Sequence, residues 1–253
     1  MTVVFVHGVP ETPVVWQSLR RQVDGDSIAL RLPGFGSPLP DAYRGKDDFA
    51  QWLTDELRAI PGPLDLVGHD WGAHLVLRAV TTTTLPIRSW VSDVMHAWHP
   101  DYTWHGIAQQ LIADTGEEFL AALRPPAGSL APLVAPLGVD TALAAQFDAA
   151  HDAGMGRAIL SLYRSAPAGF APDWGHDLPA AARIPGLVLI PQAHPLGDEP
   201  LAASAGERAG AAIVRLPGLS HLWMAQDPET SARVLTDFWT TLEPWAPAET
   251  YLR

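Results

Sequence analysis

Between residues 64 and 79 the chain reads LDLVGHDWGAHLVLRA: an apolar run, a break between glycines, and a second apolar run of different period. The first run, Leu64–Val67, suits a strand, and the second, past Gly72, suits a helix. At the break stands Asp70, with Gly68 and Gly72 two residues away on either side. So tight a strand–turn–helix needs small residues at those flanks and thrusts the central side chain outward. A serine there needs a base before it can attack, whereas a carboxylate with an ordinary pKa of about 4 is ionised at neutral pH. Attack on an ester carbonyl would give a reactive anhydride. Attack on a saturated carbon bearing a leaving group gives a stable alkyl ester, which a histidine-activated water must hydrolyse through an oxyanion. The elbow therefore points to two-step hydrolysis at an alkyl carbon. The competing expectation is that Asp70 only caps the helix that follows.

The elements that would position Asp70 follow from the alternation of β-rich and helical runs. Strands are expected at Val3–Val6, Ser27–Leu32, Leu64–Val67, Ile87–Met95, Leu187–Ile190 and Ala212–Leu216. Helical faces recur in DDFAQWLTDELRAI before the third strand and in TSARVLTDFWTTL near the end. This is an α/β pattern: a mostly parallel sheet with helices on both faces. From about Trp98 to Ala182 no strand is convincing, and helical stretches at Ile107–Leu123 and Thr141–Ala150 are interrupted by RPPAGSLAPLVAPLG. The expected organisation is a core of residues 1–97 and 183–253 around a helical insertion of residues 98–182.

The chain resembles the α/β-hydrolase superfamily, in the branch of epoxide hydrolases and haloalkane dehalogenases with an aspartate nucleophile. The resemblance rests on VFVHGVP, GHDWGA, the helical cap insertion and LPGLSHLWMAQDPE, and covers nearly the whole chain. It implies an oxyanion hole from the backbone N–H groups of Val9 and Trp71, and His221 as the base. It also implies a peptide bond before Pro10 that is often cis. Family members usually carry a β-hairpin ahead of the first strand; this chain starts at that strand, so a sheet of about six strands is expected. The family places an acid just past the fifth core strand, where LVLIPQAHPLGDEP departs from the pattern with His194 or Pro195. Asp198 is the choice to orient His221, Glu199 is next, and Asp93 and Asp101 past the fourth strand are alternatives.

The leaving group decides between two reactions. Epoxide opening needs an acidic O–H, and the family's Tyr-Arg pair corresponds to Tyr163 and Arg164 in SLYRSAP. The second cap tyrosine of the family is replaced in QQLIADTGEE by Leu111 and Ile112, with Tyr102, Trp104 or His105 as substitutes. Halide release needs N–H donors, for which Trp71, Trp104 and Trp174 are candidates, but Val9 stands where one dehalogenase group has asparagine. Epoxide hydrolysis is favoured, with Trp71, Tyr163, Trp104 and His105 as substrate contacts. Dehalogenation of a haloalkane or haloacid, and a catalytically inactive binding protein on the same fold, are the alternatives.

Composition narrows the partners. The 253 residues carry 28 acidic and 16 basic side chains, a net charge of −12, which argues against a nucleic acid or an anionic membrane. There is no cysteine, and the N-terminus shows neither a signal peptide nor a membrane span, so a cytoplasmic location is expected. No cofactor or metal is expected: His96, His99 and His105 do not have helical ligand spacing. LPGFGSPL has Leu39 where a dinucleotide fingerprint needs glycine. The resemblance implies a small apolar epoxide or alkyl halide as partner, and a monomer or a homodimer is expected.

Overall fold

The inner apolar runs become strands because both of their faces are covered, and successive residues supply opposite layers. In β1 (Thr2–Val6), Val4 and Val6 pack into one hydrophobic cluster while Val3 and Phe5 pack into the other. The computed structural model describes residues 1–243. Its sheet is wholly parallel and six-stranded, in the order β2–β1–β3–β4–β5–β6. The other strands are β2 (Asp26–Leu30), β3 (Leu64–Gly68), β4 (Ile87–Ser92), β5 (Gly186–Pro191) and β6 (Ala212–Leu216). β2 and β6 form the edges, which is why both are partly exposed while β3 is buried throughout.

On the face of Val4 and Val6 lie α2 (Lys46–Ala59) and α3 (Trp71–Thr82), contributing Phe49, Leu53, Leu57, Leu75 and Val76. On the other lie α1 (Gln17–Arg20), α10 (Trp223–Gln226) and α11 (Pro228–Thr240), with Leu19, Trp223 and Leu235 at the core. Helix α9 (Glu199–Arg208) crosses between β5 and β6. Each fully buried Leu or Phe contributes roughly 1.5–3 kcal/mol.

Between β4 and β5 run α4 (Gly106–Ile112), α5 (Gly116–Leu123), α6 (Ala131–Val134), α7 (Thr141–Ala150) and α8 (Ala153–Arg164). Three expectations are adjusted here. The stretch Ile107–Leu123 is two helices, because Ala113 turns extended at ψ 161° and ends α4. The Pro-rich interruption contains a helical turn, α6, since Leu130 and Val134 are buried in the same cluster as Phe147 and Trp223. The fourth strand ends at Ser92 rather than Met95, because Val94 enters the left-handed region (φ 42°) and a 3-10 turn begins at Met95. Among the described residues no helix is long and apolar enough to cross a membrane.

Candidate active site

The register brings the catalytic candidates to one end of the sheet. β1 and β3 pair so that Val6 faces Gly68, and the His69 N–H continues the ladder to the Val6 carbonyl at 3.0 Å. The segment after β1 therefore lies beside the elbow after β3. Segments past β4, β5 and β6 close in from the other side, at the carboxyl ends of the strands where α/β sheets place their sites.

Asp70 adopts φ 49° and ψ −124°, a strained conformation for a residue with a Cβ, and α3 starts immediately after it. A Cβ on Gly72 would sit 2.3 Å from the Val6 carbonyl oxygen, and one on Gly68 would sit 2.5 Å from the Ala73 Cα. Both flanks are thus filled by backbone. The Asp70 carboxylate does not cap α3. Its Oδ1 instead accepts the Val9 N–H at 2.9 Å, and the peptide bond between Val9 and Pro10 is cis. Burial pushes the Asp70 carboxyl up from 3.8 to about 7, against the pull of His69 and of the Val9 and Trp71 N–H groups. Burial thus holds the group closer to its neutral form than the plainly ionised carboxylate expected.

Beneath the elbow lies a charge cluster that the sequence did not reveal. His69 Nδ1 is 2.5 Å from Asp93 Oδ2, and its Nε2 faces Glu11 Oε1 at 2.9 Å, all three being fully buried. Burial opposes a charge on His69, but the two carboxylates outweigh it and hold the imidazolium well above the ordinary histidine range. Asp93 also accepts the Trp223 indole N–H at 2.8 Å and the Asp70 N–H at 2.9 Å. It therefore fixes the elbow and does not orient His221.

His221 follows β6 and is 6% exposed; its Nε2 lies 3.9 Å from Asp70 Oδ2. Burial, with His69 next in weight, drives its pKa well below 6.5, so the ring is neutral and able to accept a proton. Asp198 is not its partner: that carboxylate caps α9, accepting the Leu201 N–H at 3.1 Å. Glu199 is paired with Arg215 and Gln192, and exposed Asp101 lies near His99. Among the described residues no carboxylate other than Asp70's comes as near to the His221 ring nitrogens. The neighbour on the expected acid loop is His194, stacked on His221 at 4.4 Å between centroids.

A cavity opens above Asp70 and His221, walled by Val9, Tyr102, Tyr163, His105 and aliphatic side chains such as Leu111, Leu133 and Ile159. Burial raises both tyrosines above 10, so both stay protonated. The Tyr102 hydroxyl is buried without a hydrogen-bond partner. Tyr163 sits on α8, which Arg164 ties to Glu117 of α5. The indoles behave differently. Trp104 donates to the Ala166 carbonyl at 2.7 Å and Trp174 to Asp47 at 3.0 Å, so neither N–H is free for a halide. Trp71 is fully buried, edge-on to Tyr163 at 5.2 Å, with its N–H unpartnered. His105 lines the cavity while its Nδ1 accepts the Ala108 N–H, capping α4.

Glu11, His69 and His221 offer ligand atoms within 4.8 Å of one another, but His69 is already a cation between carboxylates, which makes the cluster poor for a metal ion. The neutral base and the raised nucleophile together set a pH dependence. A reaction begun by Asp70 should show kcat/KM rising tenfold per pH unit below a midpoint of about 7 and level above it. A midpoint near 4 would show a carboxylate far better solvated than this one.

Residues 3–234 match the family model described as Alpha/beta hydrolase family. No curated protein sequence matches the chain significantly. In fold it is similar to the Cif epoxide hydrolase from Acinetobacter nosocomialis, with TM-score 0.75 and 20% identity over 94% of this chain and 82% of that one. It is similar also to the haloalkane dehalogenase DbeA from Bradyrhizobium elkani, with TM-score 0.70 and 21% identity over 95% and 91% of the two chains. NosK from Streptomyces actuosus gives TM-score 0.63 and 22% identity over 95% and 98%. At such identities the likeness is one of fold.

Proposed function

Since this chain belongs to the alpha/beta hydrolase family, we propose that it is a hydrolase that opens an epoxide to a vicinal diol through an ester on Asp70. The observation that carries this reading is the cavity wall. Two protonated tyrosines, Tyr163 and Tyr102, face the space above the carboxylate, while the cap indoles have their N–H groups bound elsewhere. An alkoxide needs an O–H beside it; a halide needs free N–H donors.

The two oxygens of Asp70 have separate work. Oδ2, on the side of His221, attacks the ring carbon, and the C–O bond of the epoxide breaks as the tyrosines hydrogen-bond the departing oxygen and protonate it. Oδ1, held by the Val9 N–H, becomes the ester carbonyl oxygen and then the oxyanion. His221 takes a proton from water as water attacks the ester carbonyl carbon, and returns it to the diol oxygen when the intermediate collapses; the proton left on the Asp70 carboxyl then restores the tyrosinate, closing the cycle. The apolar wall of the cavity suits a small apolar epoxide.

Intact mass on His221→Gln incubated with styrene oxide, and separately with 1-bromobutane, tests the reading. A gain equal to the whole epoxide supports it. A gain of an alkyl group without halogen would replace it with dehalogenation, and no adduct across a wider panel would favour a binding protein. Tyr163→Phe should lower kcat for epoxide opening about 10²-fold, Tyr102→Phe by less, and the pair by more than either. An unchanged kcat in the double variant would remove the tyrosines from the mechanism.

A further inference from the structure

Resting on the reading of Asp70 as nucleophile and His221 as base, we propose that His194 positions His221 by ring stacking in place of a carboxylate. The ester on Asp70 is then hydrolysed slowly and accumulates during turnover.

The placement of His194 is built into the fold. Its loop follows β5 and is tied to the loop of His221 by two backbone bonds, Gln192 N–H to the Leu216 carbonyl at 3.1 Å and Ala193 N–H to the Leu219 carbonyl at 2.9 Å. The turn closes on His194 itself, whose carbonyl accepts the Gly197 N–H at 3.2 Å. The two rings end nearly parallel, 28° between planes and 4.4 Å between centroids. His194 Nδ1 is buried with no hydrogen-bond partner.

Stacking fixes the plane of the base but does nothing for the charge it must carry. When water attacks the ester, His221 becomes an imidazolium, and a carboxylate on its far nitrogen would stabilise that charge. The groups facing His221 are Asp70, the His69 imidazolium 4.4 Å away, His194, His105 and His96. Glu11 is also near, with a carboxylate oxygen within 4.8 Å of a His221 ring nitrogen, but it is already paired with His69 at 2.9 Å. The Asp70 charge favours protonation in the free enzyme, but esterification removes it. At the second step the base therefore has around it imidazoles, one of them positive, and a single carboxylate, Glu11, already paired with that cation. The first step needs no proton on His221 and is spared this penalty, so the ester builds up behind the slow step.

The test has one arm without substrate. Histidine ring 15N NMR titration of the wild type should place the His221 midpoint well below 6.5. In His194→Asp it should move up by a unit or more, while His194→Asn, neutral and polar, should leave it low. An unmoved His221 in His194→Asp would overturn the positioning role. The second arm uses styrene oxide with rapid quench and intact mass. Wild type should show a burst near one adduct per enzyme, and His194→Asp should hydrolyse the ester about tenfold faster or more and lose the burst. An adduct on His221→Gln with none on the wild type in steady state would overturn slow hydrolysis while leaving the nucleophile standing. No adduct on His221→Gln across the panel would instead overturn the parent reading.

Discussion

Asp70→Asn is expected to abolish turnover and, above pH 7, to make the protein more stable. The loss of activity is direct: the amide cannot supply the attacking oxygen, and a fall of about 10⁴-fold or more is expected, as for other nucleophile replacements. The gain in stability follows from burial. The carboxyl has its ordinary pKa of 3.8 in the unfolded chain and about 7 in the folded one. Between those values the native state holds a proton that the unfolded chain has released, so stability falls as pH rises through the window. Above pH 7 the full cost is present. At about 1.4 kcal/mol per pH unit its ceiling is about 4 kcal/mol, and partial exposure of the side chain, 16%, brings it to about 2–3 kcal/mol. Asparagine keeps an oxygen for the Val9 N–H and carries no charge. The melting temperature of Asp70→Asn should exceed that of wild type by several degrees at pH 8 and by a smaller margin at pH 5, since the cost begins to build at 3.8. An equal difference at both values would mean that the effect is not one of buried charge.

That stability cost was not legible in the sequence, and the reason is instructive. The elbow could be read because steric demand leaves a mark on composition: Gly68 and Gly72 stand where backbone crowds in, and strand runs alternate with helical faces. Desolvation leaves no such mark, so Asp70 was expected to be ionised. Asp198 is the nearest acid after His194, yet an Asp followed by Glu-Pro at a helix start is also a capping signature, and capping is what it does. Tyr102 sits outside the helices, and its place in the cavity depends on the path of the chain from Trp98 to His105, which has no period to read. His69 lay in full view inside the elbow. What was missing was its pairing with Glu11, fifty-eight residues earlier, through the adjacency of β1 and β3.

Asp93→Ala is expected to be the most damaging single substitution at the site, and its damage should come through structure. Asp93 accepts from His69, from the Trp223 indole and from the Asp70 N–H, all away from solvent. Burial alone would raise its pKa, but the His69 charge and these donors hold it below the usual carboxylate range. Its contribution is therefore complete above the ordinary pKa of 3.8 and is lost as pH falls through the lower folded value. Removing it leaves the buried cation with Glu11 alone and strands two N–H groups, for about 3–5 kcal/mol, a large share of the 5–15 kcal/mol that holds a typical domain folded. At about 2–4 °C per kcal/mol for a chain of this size, the melting temperature should drop by about 10 °C or more at pH 7. The deficit should shrink only in strong acid, where the wild type loses the same charge. Asp93→Asn, which keeps an acceptor of the same shape, tests the site in a folded protein. With one carboxylate gone, His69 is a weaker cation, and His69 is the nearest charge drawing the Asp70 pKa downward. The acid limb of kcat/KM should then move above 7, toward alkaline pH. A limb that stayed in place would mean that the buried cluster holds the elbow without tuning its nucleophile.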